Sequence, residues 1–141
     1  MTSASALRVL SIALGVFLIF MGLDKLAWFM DSGFLVARLQ EWRGEAPPMA
    51  RWYLDSVAIP GAPVFARLVP VGELAAGAAL LCAIKVRVAA SVSLLMVLNF
   101  HFASDVLLHY SYLTNAYGLP VLGGLLALAI GGSRLPFSLS K

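Results

Sequence analysis

The sequence predicts an all-α fold: an integral membrane four-helix bundle with N and C termini on the cytoplasmic side. Three observations lead there. Of 141 residues, 61% are hydrophobic and only 12% charged, with a mean hydropathy of +0.91. A soluble domain averages about 45–50% apolar and about 25% charged residues, because charge must cover its outside. Four apolar runs divide the chain, each near the ~20 residues that a lipid-crossing helix needs. None alternates with period two, as membrane strands do. The length allows a single transmembrane domain, residues 1–141.

The first span covers about residues 7–29. Arg8 before an apolar run resembles the start of a signal peptide. The run closes on Gly22-Leu23-Asp24-Lys25-Leu26-Ala27-Trp28-Phe29, without the small-residue cleavage pattern, and so reads as an uncleaved helix. Residues 30–63 form an interfacial loop in which Leu35, Leu39 and Trp42 recur at helical spacing, predicting a short amphipathic helix ended by Pro47-Pro48. Trp28, Phe29, Trp42, Trp52 and Tyr53 fit an aromatic belt at that surface.

The second span, about residues 64–84, is interrupted by Glu73 alone. Its Gly72/Ala76 and Ala75/Ala79 pairs are small-xxx-small surfaces that let helices approach closely. Gly15/Gly22 and Gly123/Gly124 offer similar surfaces. After the turn Lys85-Val86-Arg87 comes the third span, about residues 88–105, and then the fourth, about residues 116–132. Arg8, Lys85, Arg87, Arg134 and Lys141 gather at one end, while residues 104–116 carry no Lys or Arg. Positive charge stays on the cytoplasmic side, which sets the orientation.

The formal charge of +3 comes from scattered cations, so the stripe that a phosphate backbone requires is missing and nucleic acid is not an expected partner. The single cysteine, Cys82, excludes an intrachain disulfide or a two-thiol redox mechanism. There is no phosphate-binding glycine loop, nucleophile elbow or HExxH motif.

Glu73 is the residue that needs a reason. A carboxyl near mid-membrane costs roughly 2.5–3.5 kcal/mol on insertion scales, so it should face the bundle interior or a cavity. At ~1.5 Å per residue, Glu73 lies ~13 Å below the outer surface, with Asn99 at a similar depth and His101 somewhat above. The flexible stem of Lys25 could reach down from the first span. Lys25, Glu73, Asn99 and His101 therefore form a candidate ligand site, either for a hydrogen-bonding headgroup such as a quinone or for a proton relay. The rival reading is hydrogen-bonded glue that holds helix register. His101, Asp105 and His109 are spaced i, i+4, i+8 and would share a face if the third helix continued. One stripe does not supply the convergent ligands a metal needs, so no metal site is expected.

These residues resemble a known family. Gly22-Leu23-Asp24-Lys25-Leu26 resembles the close of the first helix in DoxX-type (DoxX/DoxD) membrane proteins, and Gly72-Glu73 with Gly77 resembles their second helix. Asn99-Phe100-His101-Phe102 sits where their third helix often carries histidine, and Gly131-Gly132-Ser133-Arg134 before Ser138-Leu139 resembles their tail. Pro136-Phe137 departs from that tail, and the 104–116 loop is variable in the family. The resemblance implies a small four-helix protein of the bacterial inner membrane. It implies a non-catalytic subunit or partner of a quinone-linked redox complex, with quinone as the ligand and other membrane-complex subunits as partners beside the lipid bilayer. Two alternatives stand: a quinone-binding oxidoreductase subunit in its own right, and a purely structural accessory subunit of a larger assembly such as a photosynthetic complex.

Overall fold

The computed structural model describes residues 3–107 and 109–139, and among these every regular element is helical. The chain runs through α1 (Ser3–Asp24), α2 (Leu26–Met30), α3 (Gly33–Glu45), α4 (Pro48–Tyr53) and a π-turn (Leu54–Ala58). It continues through α5 (Ala62–Leu81), α6 (Val86–Ala103), α7 (Tyr110–Leu113) and α8 (Leu119–Gly131).

Local chemistry explains the boundaries. The first apolar run is broken at Lys25, whose N–H bonds the Gly22 carbonyl at 3.2 Å in a tightened turn. Asp31 Oδ1 accepts from the Gly33 N–H at 2.7 Å and so satisfies one of the open donors at the start of α3. Pro47, which cannot continue a helix, follows α3, and Pro48 opens α4 where its missing N–H does no harm. Proline likewise occupies the first turn of α5 and of α8. Ala83 and Lys85 take left-handed backbone conformations (φ 51° and 42°), which reverse the chain between α5 and α6 within four residues, 82–85.

α1, α5 and α6 are long and apolar enough to cross a membrane, while α8 is a shorter apolar helix of 13 residues. α1 lies against α5 and α8, and α6 lies against the same two helices. Leu14, Leu18, Leu80, Ala90, Leu125 and Leu128 fill the core they share. The tightest crossing is α1 on α5, where a Cβ on Gly77 would stand 2.9 Å from the Gly15 carbonyl oxygen. Gly72 meets only the Met96 side chain of α6, so of the small residues Gly77 rather than Gly72 sets the α1–α5 spacing. Large apolar side chains such as Phe20, Val64, Leu68, Leu95 and Ile130 point outward.

Two unlike ends result. Arg8 donates to the Leu80 and Leu81 carbonyls at 3.0 and 2.7 Å, and Arg87 donates to the Ala129 carbonyl at 2.9 Å. These contacts gather the cations beside the C-terminal ends of α5 and α8, whose open carbonyls carry partial negative charge. At the opposite end, α3 and α4 fold over the bundle on a second core of Leu35, Leu39, Leu54, Ala62, Ala66 and Ala103. Arg43 and Asp55 tie that cap together with a two-pronged ion pair.

Candidate functional site

Glu73 is only 6% exposed, and the face it occupies follows from helical periodicity. Ala66, Pro70, Glu73, Gly77 and Leu80 recur every three to four residues on α5, and all are buried. The carboxylate therefore points into the molecule. Lys25 meets it from the break between α1 and α2. Its ammonium donates to Glu73 Oε1 and Oε2 at 2.9 Å each, and to the Met21 carbonyl at 2.9 Å. All three ammonium protons are used. The break places the nitrogen where an uninterrupted helix would carry the side chain onward, and both partners are nearly covered (12% and 8% side-chain exposure).

Beside this pair lies a cavity of about 310 Å³. α6 and the Ser104 that caps it contribute Val97, Phe100, His101 and Ser104, one stripe at i, i+3, i+4 and i+7. α2 contributes Trp28, α3 contributes Arg38 and Trp42, and Phe17 of α1 stacks on Tyr117 at 6.0 Å between ring centres. The Lys25 nitrogen is 5.8 Å from the Trp28 ring centre and 6.0 Å from that of Phe100, so the walls next to the charge are aromatic. A second cavity of about 310 Å³ adjoins the first through Trp42, His101, Ser104 and Tyr117, and reaches Tyr112 of α7 and Asn115 just after it.

His101 stands between the two cavities. Its Nδ1 is 2.9 Å from the Tyr112 hydroxyl, and the rings meet edge to face at 4.8 Å. Burial pushes the Tyr112 phenol above its ordinary value, which keeps the proton on oxygen. A hydroxyl can donate to or accept from an imidazole nitrogen, so the direction of this bond follows the His101 tautomer. The cavity thus has on its wall the His101 imidazole and, in Glu73, an acceptor whose oxygens retain further lone pairs.

Of the four residues singled out from the sequence, Lys25, Glu73 and His101 line this cavity and Asn99 does not. Two residues along a helix turn the side chain ~200°, so Asn99 and His101 leave opposite faces of α6. Asn99 accepts from the Tyr53 hydroxyl at 2.6 Å and lines a crevice of about 50 Å³ under α3 and α4. The stripe of His101, Asp105 and His109 does not form, because α6 ends at Ala103 and Asp105 turns the chain with φ 52°. His109 instead lies 3.9 Å from Asp105, and among the described residues no group of three His, Cys, Asp or Glu side chains could hold a metal. Sequence reasoning missed Tyr112 and Tyr117, which carry no intramembrane charge to mark them. It placed Trp28 and Trp42 only in an aromatic belt.

Comparison with known proteins returns one family, DoxX, whose model matches residues 6–104, from α1 through the end of α6. No curated protein and no solved structure matches the chain. The matched stretch contains the Lys25–Glu73 pair and His101, and leaves Tyr112 and α8 outside it. The chain is a membrane protein of the DoxX family.

Proposed function

We propose that this DoxX family protein is a non-catalytic membrane subunit or partner of a quinone-linked redox complex, and that its aromatic-walled cavity receives a quinone headgroup. The observation that carries the reading is that His101 and the Lys25-held Glu73 line one cavity. In this reading His101 carries its hydrogen on Nε2 and donates it to a quinone carbonyl, and Glu73, held by Lys25, accepts from a quinol hydroxyl. A ring bearing both groups in its two redox states matches that arrangement, and Trp28, Trp42 and Phe100 supply faces for it to stack on. In this reading α8 completes a four-helix bundle in the bacterial inner membrane, with the Arg8, Lys85, Arg87 and Arg134 end in the cytoplasm.

Saturation of the Lys25 ammonium favours a second reading, in which the ion pair only locks α1 to α5. Tryptophan fluorescence in lipid nanodiscs separates the two. A short-chain ubiquinone analogue quenches Trp28 and Trp42 saturably, and His101→Gln weakens that quenching about tenfold, the equivalent of one lost hydrogen bond. Quenching that neither saturates nor responds to His101→Gln leaves the structural reading standing.

A further inference from the structure

The basic end of the molecule encloses a cavity of about 600 Å³ between the 82–85 turn, the start of α6 and the segment after α8. Its polar lining is Lys85, Arg87, Arg134, Ser133 and Ser138. No Asp or Glu is among the described residues that line it. None of the chain's seven acidic residues lies in α6, in α8, in the 82–85 turn or in residues 132–139. Toward the opposite end three cations have carboxylate partners, Lys25 with Glu73, Arg38 with Glu41 and Arg43 with Asp55, while Arg51 and Arg67 have none among the described ion pairs. Among the described residues, Lys85, Arg87 and Arg134 belong to no ion pair. The bond from Arg87 Nε to the Ala129 carbonyl pins its guanidinium in place.

A second feature adjoins this one. Along the outer face of α5 and α6 runs an apolar groove of about 330 Å³, floored by Gly72, Ala75, Ala79, Val88 and Val92. Small side chains keep the floor low for ~10 Å along α5. Lys85 and Val88 line both the groove and the basic cavity, so the two form one continuous surface. A cationic chamber at a helix end, opening onto an apolar trough that runs toward mid-membrane, has the shape and polarity of a phospholipid.

We propose that this surface is a binding site for one anionic phospholipid, its phosphate held by Lys85, Arg87 and Arg134 and one acyl chain lying in the α5–α6 groove. The charge separation selects the occupant. Guanidinium and ammonium groups without carboxylate partners attract phosphate and give nothing to an apolar helix. A zwitterionic lipid carries its own ammonium, which the three cations repel.

Native mass spectrometry of the full chain, released from nanodiscs of phosphatidylcholine with phosphatidylglycerol, tests the site. One phosphatidylglycerol is retained in preference to phosphatidylcholine, and Lys85→Gln with Arg134→Gln lowers retention about tenfold or more, since each cation near a headgroup acts independently. Val88→Trp, which fills the groove beside intact cations, also weakens retention. Raising the salt concentration in wild-type samples weakens it as well, so the electrostatic part is readable even if the double variant fails to fold. Equal retention of the two lipids overturns the proposal. So does competition by inorganic phosphate with no effect of Val88→Trp, which identifies a free-anion site. A concentration-dependent dimer that Val88→Trp dissociates, without lipid retention, assigns the groove to a second copy and overturns it too.

Discussion

Lys25 and Glu73 hold opposite charges where water barely reaches, and each makes the other tolerable. Removing one partner strands the other, which in buried pairs costs about 3–5 kcal/mol, whereas removing both leaves a neutral contact. Lys25→Met alone therefore lowers the thermal stability of the detergent-solubilised protein steeply, and adding Glu73→Gln recovers most of the loss. A double variant no better than the single one would show that the side chains matter through packing alone. Tyr112 and His101 form a weaker, neutral contact, so Tyr112→Phe costs about 1 kcal/mol by the same measurement. The pH dependence of this pair has a definite sign. Burial raises the Tyr112 pKa, so the folded state prefers the protonated phenol. That contribution is complete below the ordinary tyrosine value of 10.0 and is lost as pH rises past it, and Tyr112→Phe removes the alkaline dependence. Asp55 has the opposite sign. The hydrogen bond from Arg43 holds its carboxyl below the ordinary 3.8, so its contribution is present above that value and fades as pH falls.

Helix contacts divide the glycines of the spans into two kinds. A methyl on Gly77 meets the Gly15 carbonyl oxygen at 2.9 Å and the Ile19 nitrogen at 3.0 Å, both backbone atoms that cannot step aside alone. Gly77→Ala must push α1 away from α5 and is expected to destabilise by roughly 1–3 kcal/mol. Gly123 on α8 has open space where its Cβ would be. Gly123→Ala therefore leaves stability unchanged or raises it by up to ~1 kcal/mol, through helix propensity. Paired unfolding curves of the two variants check both signs. The break between α1 and α2 falls at Lys25, the residue whose ammonium meets Glu73.

Across the whole molecule, charge and cavities are polarised. The basic end gathers Arg8, Lys85, Arg87 and Arg134, and the opposite end carries the amphipathic cap, the Lys25–Glu73 pair and the His101 cavity. Both Ser111 and Ser133 are exposed, at opposite ends. In a Cys82→Ser background, the proposed orientation predicts that Ser111→Cys reacts with a membrane-impermeant thiol reagent added outside the membrane and Ser133→Cys only after the membrane is opened. The reverse pattern would invert the proposed orientation. Sequence and structure agree most where bulk polarity decides. Long apolar runs declare helices, and Leu35, Leu39 and Trp42 mark one side of α3 at helical spacing. The family was likewise legible in short motifs around Lys25, Glu73 and His101. The cavity wall was less so, because Tyr112 lies in the single turn of α7 and Tyr117 just before α8, stretches too short to show periodicity.

By itself the sequence determined an all-helical membrane protein and drew attention to Lys25, Glu73 and His101, since a charged or polar group inside an apolar run has few tolerable surroundings. Only the tertiary structure decided that Asn99 turns away to Tyr53, that α6 stops before Asp105, and that Tyr112 folds back onto His101. Those outcomes depend on helix rotation, on where a helix ends and on how a loop returns. Side-chain polarity, which composition and spacing report, leaves all three open.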